Sequence, residues 1–503
     1  MVKSKNSLLL RAITSVLLTI GFYGLALAIA GGLLFLVYAQ FVIFETVNSR
    51  LTLFAIVGAV VIIWAILPRI DRFIPPGPQL TPSEFPLLFR EIKAVADLTQ
   101  QEMPRDVYLI PDVNAFVAER GGMMGIGRRR VMGIGLGLLK LLNISELKSV
   151  LAHEFGHYYG GDTALGPWIY RTRTAIIRTA VNVGHQSSLL QAPFVWYAKM
   201  FLRITNAISR QQEFSADRLS ATIVGKQAAT SSLTKIHRYS SAFGAFWQQE
   251  YLPVVNNGFR PSLLNGFDRF LETQNVTQKV ESSYQQVLSQ EKADPYDTHP
   301  SLKERLAALE TLPQGEEMND QPALSLVQDP EDLEGRILMS IAIDKEKIKT
   351  LKPLQWEDLT EIVYLPMWEK NAQSFAGALT GMTIGNLPEH AKKFPVLFLQ
   401  IAANGWKLPP NVKPKDVPPQ VQLQICSNVV GCALISTLRK QGWGVKTGLG
   451  EEVTLEEDGQ IVKPFQVFIE LAAGKLTKDD WETTCTEQGI HALNLASNQL
   501  PSE

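Results

Sequence analysis

A chain of 503 residues exceeds what one ordinary hydrophobic core organises, so two or three domains are expected. Its 48 basic and 49 acidic side chains cancel to a net charge of −1, which lacks the polyelectrolyte signature of a nucleic-acid binder and argues against a nucleic-acid partner. The three cysteines, Cys426, Cys432 and Cys485, lie late and form no C-x-x-C pair, so neither a disulfide framework nor a cysteine zinc site is indicated, and a reducing compartment fits best.

The amino terminus is the strongest compositional anomaly. Residues 12–44 hold no charge, residues 51–68 hold none again, and only Glu45 and Arg50 are charged between them. Each run is long enough to cross a bilayer core of about 30 Å as a helix. Lys3, Lys5 and Arg11, with Ala28-Ile29-Ala30, imitate a signal peptide and its cleavage site. The apolar run nevertheless continues well past Ala30 and a second run follows closely, so a transmembrane hairpin is the better reading. Lys3, Lys5 and Arg11 precede the first span and Arg69 and Arg72 follow the second, which places both ends in the cytoplasm by the positive-inside rule. The expectation is an integral, multi-pass membrane protein, in the cell membrane if bacterial, with everything after the hairpin cytosolic.

Pro75-Pro76-Gly77-Pro78 punctuates the exit from the bilayer, and a helix over residues 81–101, capped by Thr81 or Ser83, opens a soluble domain. Residues 107–110 and 131–134 read as short strands around "NAFVAERGGMMGIGRRR", whose glycines and arginines suit a hairpin loop. Gly125-Ile126-Gly127 fails the G-x-G-x-x-G pattern of a dinucleotide loop, and Arg128 to Arg130 read as a solvated turn near anionic headgroups.

Next comes "SVLAHEFGHYYGGDT". Asn143 with Glu146 three residues on forms a capping box, Leu147, Val150 and Leu151 give an apolar stripe, and Gly160-Gly161 ends the run, so a helix is predicted. On it, His153 and His157 stand one turn apart on one face, close enough to grip a single metal ion, with Glu154 beside them. Two histidines packing or capping on a helix is the plain alternative. A catalytic zinc needs a third protein ligand and an open position for water. The H-E-x-x-H-x-x-G-x-x-H solution fails, because Thr163 stands where the ligand should be and Asp162 is one residue out of register. A carboxylate on a later helix remains. "ISRQQEFSADRLSA" offers Glu213 to bind metal and Asp217, one turn on, to accept a histidine N–H, beside small Ser215 and Ala216 that permit tight helix packing. Taken alone, the same pair also reads as a solvated acidic face.

Residues 164–209 are only semi-apolar, interrupted by Arg171, Arg173, Arg178, Pro193, Lys199 and Arg203, which suits an amphipathic surface helix or a packed helix better than a full span. Helical texture continues to about residue 309. Residues 314–335, polar and rich in breakers, read as a linker, and residues 336–503 as an α+β domain of unassigned role with a hairpin signal at Asp458-Gly459. The domain plan is therefore a hairpin over 1–73, a metallopeptidase domain over 74–313, a linker over 314–335 and a carboxy-terminal domain over 336–503. The fold class is mainly α with a small β-sheet (α+β).

Four segments in order, "NAFV" from Asn114, "GLGLLKLLNISELKSVLAHEFGHYYGGD" from Gly135, "SRQQEFSAD" from Ser209 and "THPSLKERL" from Thr298, together resemble the motifs of the HtpX and CAAX prenyl protease-like family of membrane zinc metalloendopeptidases. The resemblance covers about residues 80–310. It implies a zincin-like helical domain with one Zn2+ per chain, held by His153, His157 and Glu213, with Glu154 as general base and Asn114 on or near an edge strand that holds substrate backbone. Where the residues alone read as a capped surface helix with an ordinary exposed histidine, it also brings His299 over the cleft as a catalytic residue, either donating to the oxyanion or closing the open zinc position at rest, with Arg305 placed to meet a carboxylate. Peptide or protein substrates, misfolded or membrane-embedded ones among them, and the lipid bilayer are the implied partners. The semi-apolar stretch before Glu213 departs from the family pattern, which has clear spans there. A membrane scaffold with a structural or vestigial zinc site is the competing class, and the intact Glu154 argues against it. A non-proteolytic zinc hydrolase is a third reading.

Overall fold

The computed structural model describes residues 2–67, 73–121, 129–158, 166–291, 293–314, 318–342, 344–409 and 412–498. Arg69, Arg72, the turn at 125–128, Gly160-Gly161, Asp162 and Thr163 lie outside the described residues. The fold is mainly helical with small sheets, and it opens on an apolar helical hairpin. The chain divides into two compact units, residues 1–244 with 279–345 and residues 245–278 with 346–503. Residues 245–278 thus join the carboxy-terminal unit, and the stretch read as a linker joins the first.

Helices α1 (Val2–Val42) and α2 (Ser49–Ile66) form the hairpin, with Asn48 capping α2 by accepting from the amides of Arg50 and Leu51. Both are long and apolar enough to cross a membrane. They do not stand alone. Helix α6 (Gly166–Gly184) and the first half of α7 (Ser188–Val224) pack beside them around Phe22, Ala26, Ala59, Ile62, Ile176 and Phe201. Small residues let these rods approach: a Cβ on Gly58 would lie 3.1 Å from Leu33 and 3.4 Å from Leu190. Arg178 binds the terminal carbonyls of α2, donating to Ala65 at 2.7 Å and Leu67 at 3.2 Å. Outward, Leu27, Trp64, Ile177, Leu189 and Trp196 are exposed, an apolar surface of the kind a bilayer covers. The stretch that looked semi-apolar is therefore the other half of a four-helix bundle, its arginines half-buried or exposed along the helices. A third helix with span-like composition, Pro419–Arg439, is 72% buried in the second unit and serves as its core.

Past the bundle lies a four-stranded sheet of order β1-β2-β4-β3: β1 (Gln79–Leu80), β2 (Asp106–Ile110), β3 (Ala115–Arg120) and β4 (Arg129–Gly135). Strands β2 and β4 pair in parallel and β3 returns antiparallel to β4, with Val117 opposite Met132. The expected simple hairpin is thus corrected: its supposed loop contains β3, whose alternation of Ala115 and Val117 inward with Phe116 and Ala118 half-exposed is a strand pattern. Helix α3 (Pro86–Leu98) begins later than the sequence suggested, because Pro86 fits the first helical turn and Thr81, Ser83 and Glu84 bond among themselves in the preceding turn. After α4 (Leu136–Leu141) comes α5 (Ile144–Gly156), with the predicted capping box: Asn143 accepts from the Glu146 amide at 2.7 Å and Glu146 accepts from the Asn143 amide at 2.8 Å. Residues 319–323 strap this end of α5, with Ile144 donating to Gln321 and Ala323 donating to Leu142, each at 2.8 Å. Helix α8 (Lys226–Ala245) follows α7 after Gly225.

The second unit surrounds Pro419–Arg439 with shorter helices and a three-stranded antiparallel sheet. Asp458 and Gly459 both take positive φ, 47° and 82°, making the tight turn the D-G pair signalled. Its three cysteines are free and buried, and burial pushes each thiol up to about 12.

Candidate metal centre

Helices α5 and α7 cross where Gly156 meets Ala216. A Cβ on Gly156 would lie 3.0 Å from the Ala216 Cα, so glycine on one helix and alanine on the other set the spacing of everything between them. At that crossing His153 and His157 of α5 converge on Glu213 of α7. His153 Nε2 lies 3.5 Å from Glu213 Oε2, and His157 Nε2 lies 3.5 Å from Glu213 Oε1. The two rings are 4.8 Å apart and nearly perpendicular. Three donors about 2.0–2.1 Å from one ion at tetrahedral angles stand roughly 3.4 Å from one another, so these separations suit a zinc-sized cation.

Glu213 Oε2 is buried without a hydrogen bond, with Arg305 Nη1 3.5 Å away as an ion-pair partner. A buried carboxylate oxygen is costly unless a cation meets it, and Arg305 does so from one side without a hydrogen bond. Two imidazoles and a carboxylate are also the donor types that bind zinc, so the residues present fit the ion. Glu154 competes for the third place, since ligand atoms of His153, Glu154 and His157 lie within 4.8 Å of one another. Its Oε2, however, accepts the Val117 amide of β3 at 3.3 Å, whereas the Glu213 oxygens face His153, His157, His299 and Arg305 at 3.5–3.6 Å.

Behind the histidines an ionic lattice holds them in place. His153 Nδ1 lies 2.9 Å from Asp217 Oδ1, and Arg305, on the helix Leu302–Glu310, donates to both oxygens of Asp217, at 2.8 and 2.6 Å. Asp217 and Arg305 are buried. Burial alone would raise the Asp217 pKa, but hydrogen bonds from Arg305 and His153 hold it well below the carboxylate range. The same balance takes Glu213 down to about 2, burial being outweighed by His153 and Arg305. For His153, burial is outweighed by its hydrogen bonds to Asp217 and Glu213, which carry it up to about 9. His157 moves the other way, down to about 4, through burial and the charge of His153. Burial lifts Glu154 to about 7, against the pull of His153.

His299 stands at the open side of the cleft, half its side chain in solvent, with Nε2 3.6 Å from Glu213 Oε1. Asn114 precedes β3, its carbonyl accepting the Gly135 amide at 2.8 Å, and it lines the same cavity. All seven residues singled out in the sequence, His153, Glu154, His157, Glu213, Asp217, His299 and Asn114, therefore meet around one cavity of ≈ 490 Å³. The sequence reading missed its far wall, contributed by α8. The signal was present as Ala229, Leu233, Ile236 and Ser240 at helical spacing, but nothing in that stripe distinguishes a cleft wall from a core face.

The model of peptidase family M48 matches residues 82–312. A protein named Protease HtpX homolog from Ralstonia pickettii (strain 12J) is 29% identical over 251 residues, 47% of this chain and 77% of that one. Proteins of the same name from Burkholderia mallei (strain SAVP1) and Burkholderia thailandensis are 32% identical over 239 residues, 44% of this chain and 73% of theirs. No solved structure matches. The matched residues 82–312 include β2 to β4, α5, α7 and the Arg305 helix, so the likeness falls on the site as well as the scaffold. The chain belongs to peptidase family M48, as an HtpX-like membrane protease.

Proposed function

We propose that the chain is a zinc metalloendopeptidase of the cytosolic membrane face, with His153, His157 and Glu213 as the ligands of one zinc ion and Glu154 as general base. The convergence of the His153 and His157 Nε2 atoms on the buried Glu213 carboxylate, each 3.5 Å from one of its oxygens, carries this reading. Bound zinc supplies Lewis acidity and a water able to lose its proton near neutral pH. Glu154, beside that point and raised toward neutrality by burial, takes a proton from the attacking water and delivers it to the leaving amine. Asp217 fixes the His153 proton on Nδ1 and turns Nε2 toward the site, and Arg305 fixes Asp217.

Strand β3 is an edge of its sheet, and Ala115 and Val117 turn their amides outward to Asn114 Oδ1 and Glu154 Oε2, while Tyr158 donates to the Val117 carbonyl, side-chain bonds that an added strand would replace. An extended peptide adds there, beginning near Asn114, its main chain read by backbone bonds. His299, at the open side, donates to the carbonyl oxygen as charge builds on it. His299→Ala should then lose about 10²-fold in turnover at saturating peptide. Higher or unchanged turnover would instead mark His299 as a resting-state cover of the site.

Lys3, Lys5 and Arg11 ahead of the uncharged run 12–44, with Arg69 and Arg72 after α2, support a multi-pass topology with the catalytic body in the cytosol. External thiol labelling should reach a cysteine placed at Asn48 and miss one at Ser83, and the reverse pattern would overturn the orientation. Unfolded soluble proteins and membrane proteins are the proposed substrates. The direct assay is hydrolysis of unfolded casein, abolished by a chelator and restored by zinc.

A further inference from the structure

The cavity extends past the histidines along α5 to Ser149, and α8 closes its far side. Ala229, Leu233 and Ile236 give that wall an apolar surface, with His237 beside them as its titratable group. Three of the hydroxyls nearby are engaged: Ser149 and Ser220 lie 2.7 Å apart, Ser220 donates to the Ser149 carbonyl, and Ser232 donates to Ala229. His237 differs. Its Nδ1 sits 2.9 Å from the carbonyl oxygen of Leu233, one turn back. A carbonyl only accepts, so Nδ1 carries the proton and Nε2 is left as a lone-pair acceptor. Burial keeps the ring below its ordinary pKa, helped by the charges of Arg305 and His299 and opposed by the Leu233 bond and Asp217, so it is neutral at pH 7. No hydrogen bond reaches that Nε2 from the described residues.

The edge strand says which part of a substrate comes near. Val117 marks the place of the cut, since Glu154 touches its amide, and Ala115, two residues along the same outer edge, also lines the cavity that α8 closes. A peptide paired along β3 would seat against α8 a side chain about two residues from the one opposite Val117. We propose that His237 Nε2 accepts a hydrogen bond from that side chain, so that this protease prefers there a residue of modest size with an apolar stem and a neutral donor tip, such as threonine, asparagine or glutamine. A carboxylate in the same place would oppose its lone pairs to Nε2. This inference rests on the metallopeptidase reading.

Library cleavage read by mass spectrometry locates the position, and two peptides differing there only as threonine against valine, which share a shape, isolate the hydrogen bond. The wild-type chain should favour threonine by about tenfold in kcat/KM, because a site built around a polar group rejects the analogue that leaves it unpaired. His237→Leu should bind zinc normally and lose the preference, and His237→Gln, which restores an acceptor, should recover part of it. Binding of both peptides to the Glu154→Gln chain gives the same ratio without turnover. An unchanged threonine-to-valine ratio in His237→Leu, with wild-type hydrolysis intact, removes this inference alone. A wild-type chain that hydrolyses no peptide removes the metallopeptidase reading and this inference with it.

Discussion

The first half of α7 buries Phe194, Tyr197 and Phe201 against the hairpin and α6, whereas the second half buries Glu213, Asp217 and Ser220 against α5. One continuous rod thus carries a packing problem at one end and an electrostatic problem at the other. Packing tolerates change: each large apolar side chain contributes about 1.5–3 kcal/mol and its neighbours can partly fill a gap. The ionic end does not, because every buried charge there is held by another, and removing one strands its partner. Metal chemistry needs the second kind of order and membrane anchoring needs only the first.

The sharpest break in this contrast is Arg305→Ala. It leaves Asp217 buried without its bidentate partner and should cost about 3–5 kcal/mol, seen as a large fall in thermal midpoint of the detergent-solubilised chain. A shift no larger than that of the exposed Arg90→Ala would show that the lattice is not what holds this end of α7. Asp217→Asn should be milder, weakening zinc about 10- to 100-fold while the bundle is undisturbed. Competition with a calibrated chelator measures it, and equal zinc affinity would deny Asp217 its hold on His153.

At the other end, Gly58→Leu forces a side chain into the contact with Leu33 and Leu190 and should cost about 1–3 kcal/mol, leaving zinc affinity unchanged in the folded fraction. Loss of zinc in that variant would mean that the two halves of α7 are not separable. The smallest effect is in pH. Glu213 and Asp217 have pKa values lowered on folding, so the stability they add is fully present above about pH 4, their unfolded range, and is lost as pH falls through the folded values. Residues 12–44 of the hairpin carry no charge and contribute no such term. Limited proteolysis of zinc-free protein between pH 5 and pH 2, two chosen conditions, should therefore open the α5–α7 region while sparing the bundle, and simultaneous opening of both would erase the distinction.

Much of the site was legible because its signals are local. A capping box, two histidines at i and i+4, and a glutamate and aspartate at i and i+4 each fall within one helix, where spacing fixes direction. Arg305 was visible as a cation six residues beyond His299, although its partner Asp217 lies 88 residues away. What escaped depends on contacts between distant segments. The role of α6 and early α7 turns on which faces meet α1 and α2, and scattered arginines hide this by lowering mean hydropathy, although Arg178 reaches from within α6 to the carbonyls at the end of α2. β3 was concealed by the glycines and arginines that follow it, and the strap at 319–323 by its polar composition, which here satisfies the backbone at the start of α5. His237 could not be told from a core histidine without knowing that its wall faces a cavity.

The central claim is that two carboxylates beside the same histidines do different work, Glu213 holding metal and Glu154 moving protons. Zinc content and peptide turnover measured together on wild type, Glu154→Gln and Glu213→Ala test it most directly. Glu154→Gln should keep about one zinc per chain and lose at least about 10²-fold in turnover, while Glu213→Ala should lose both. Zinc retained in Glu213→Ala and lost in Glu154→Gln would contradict the assignment and make Glu154 the ligand.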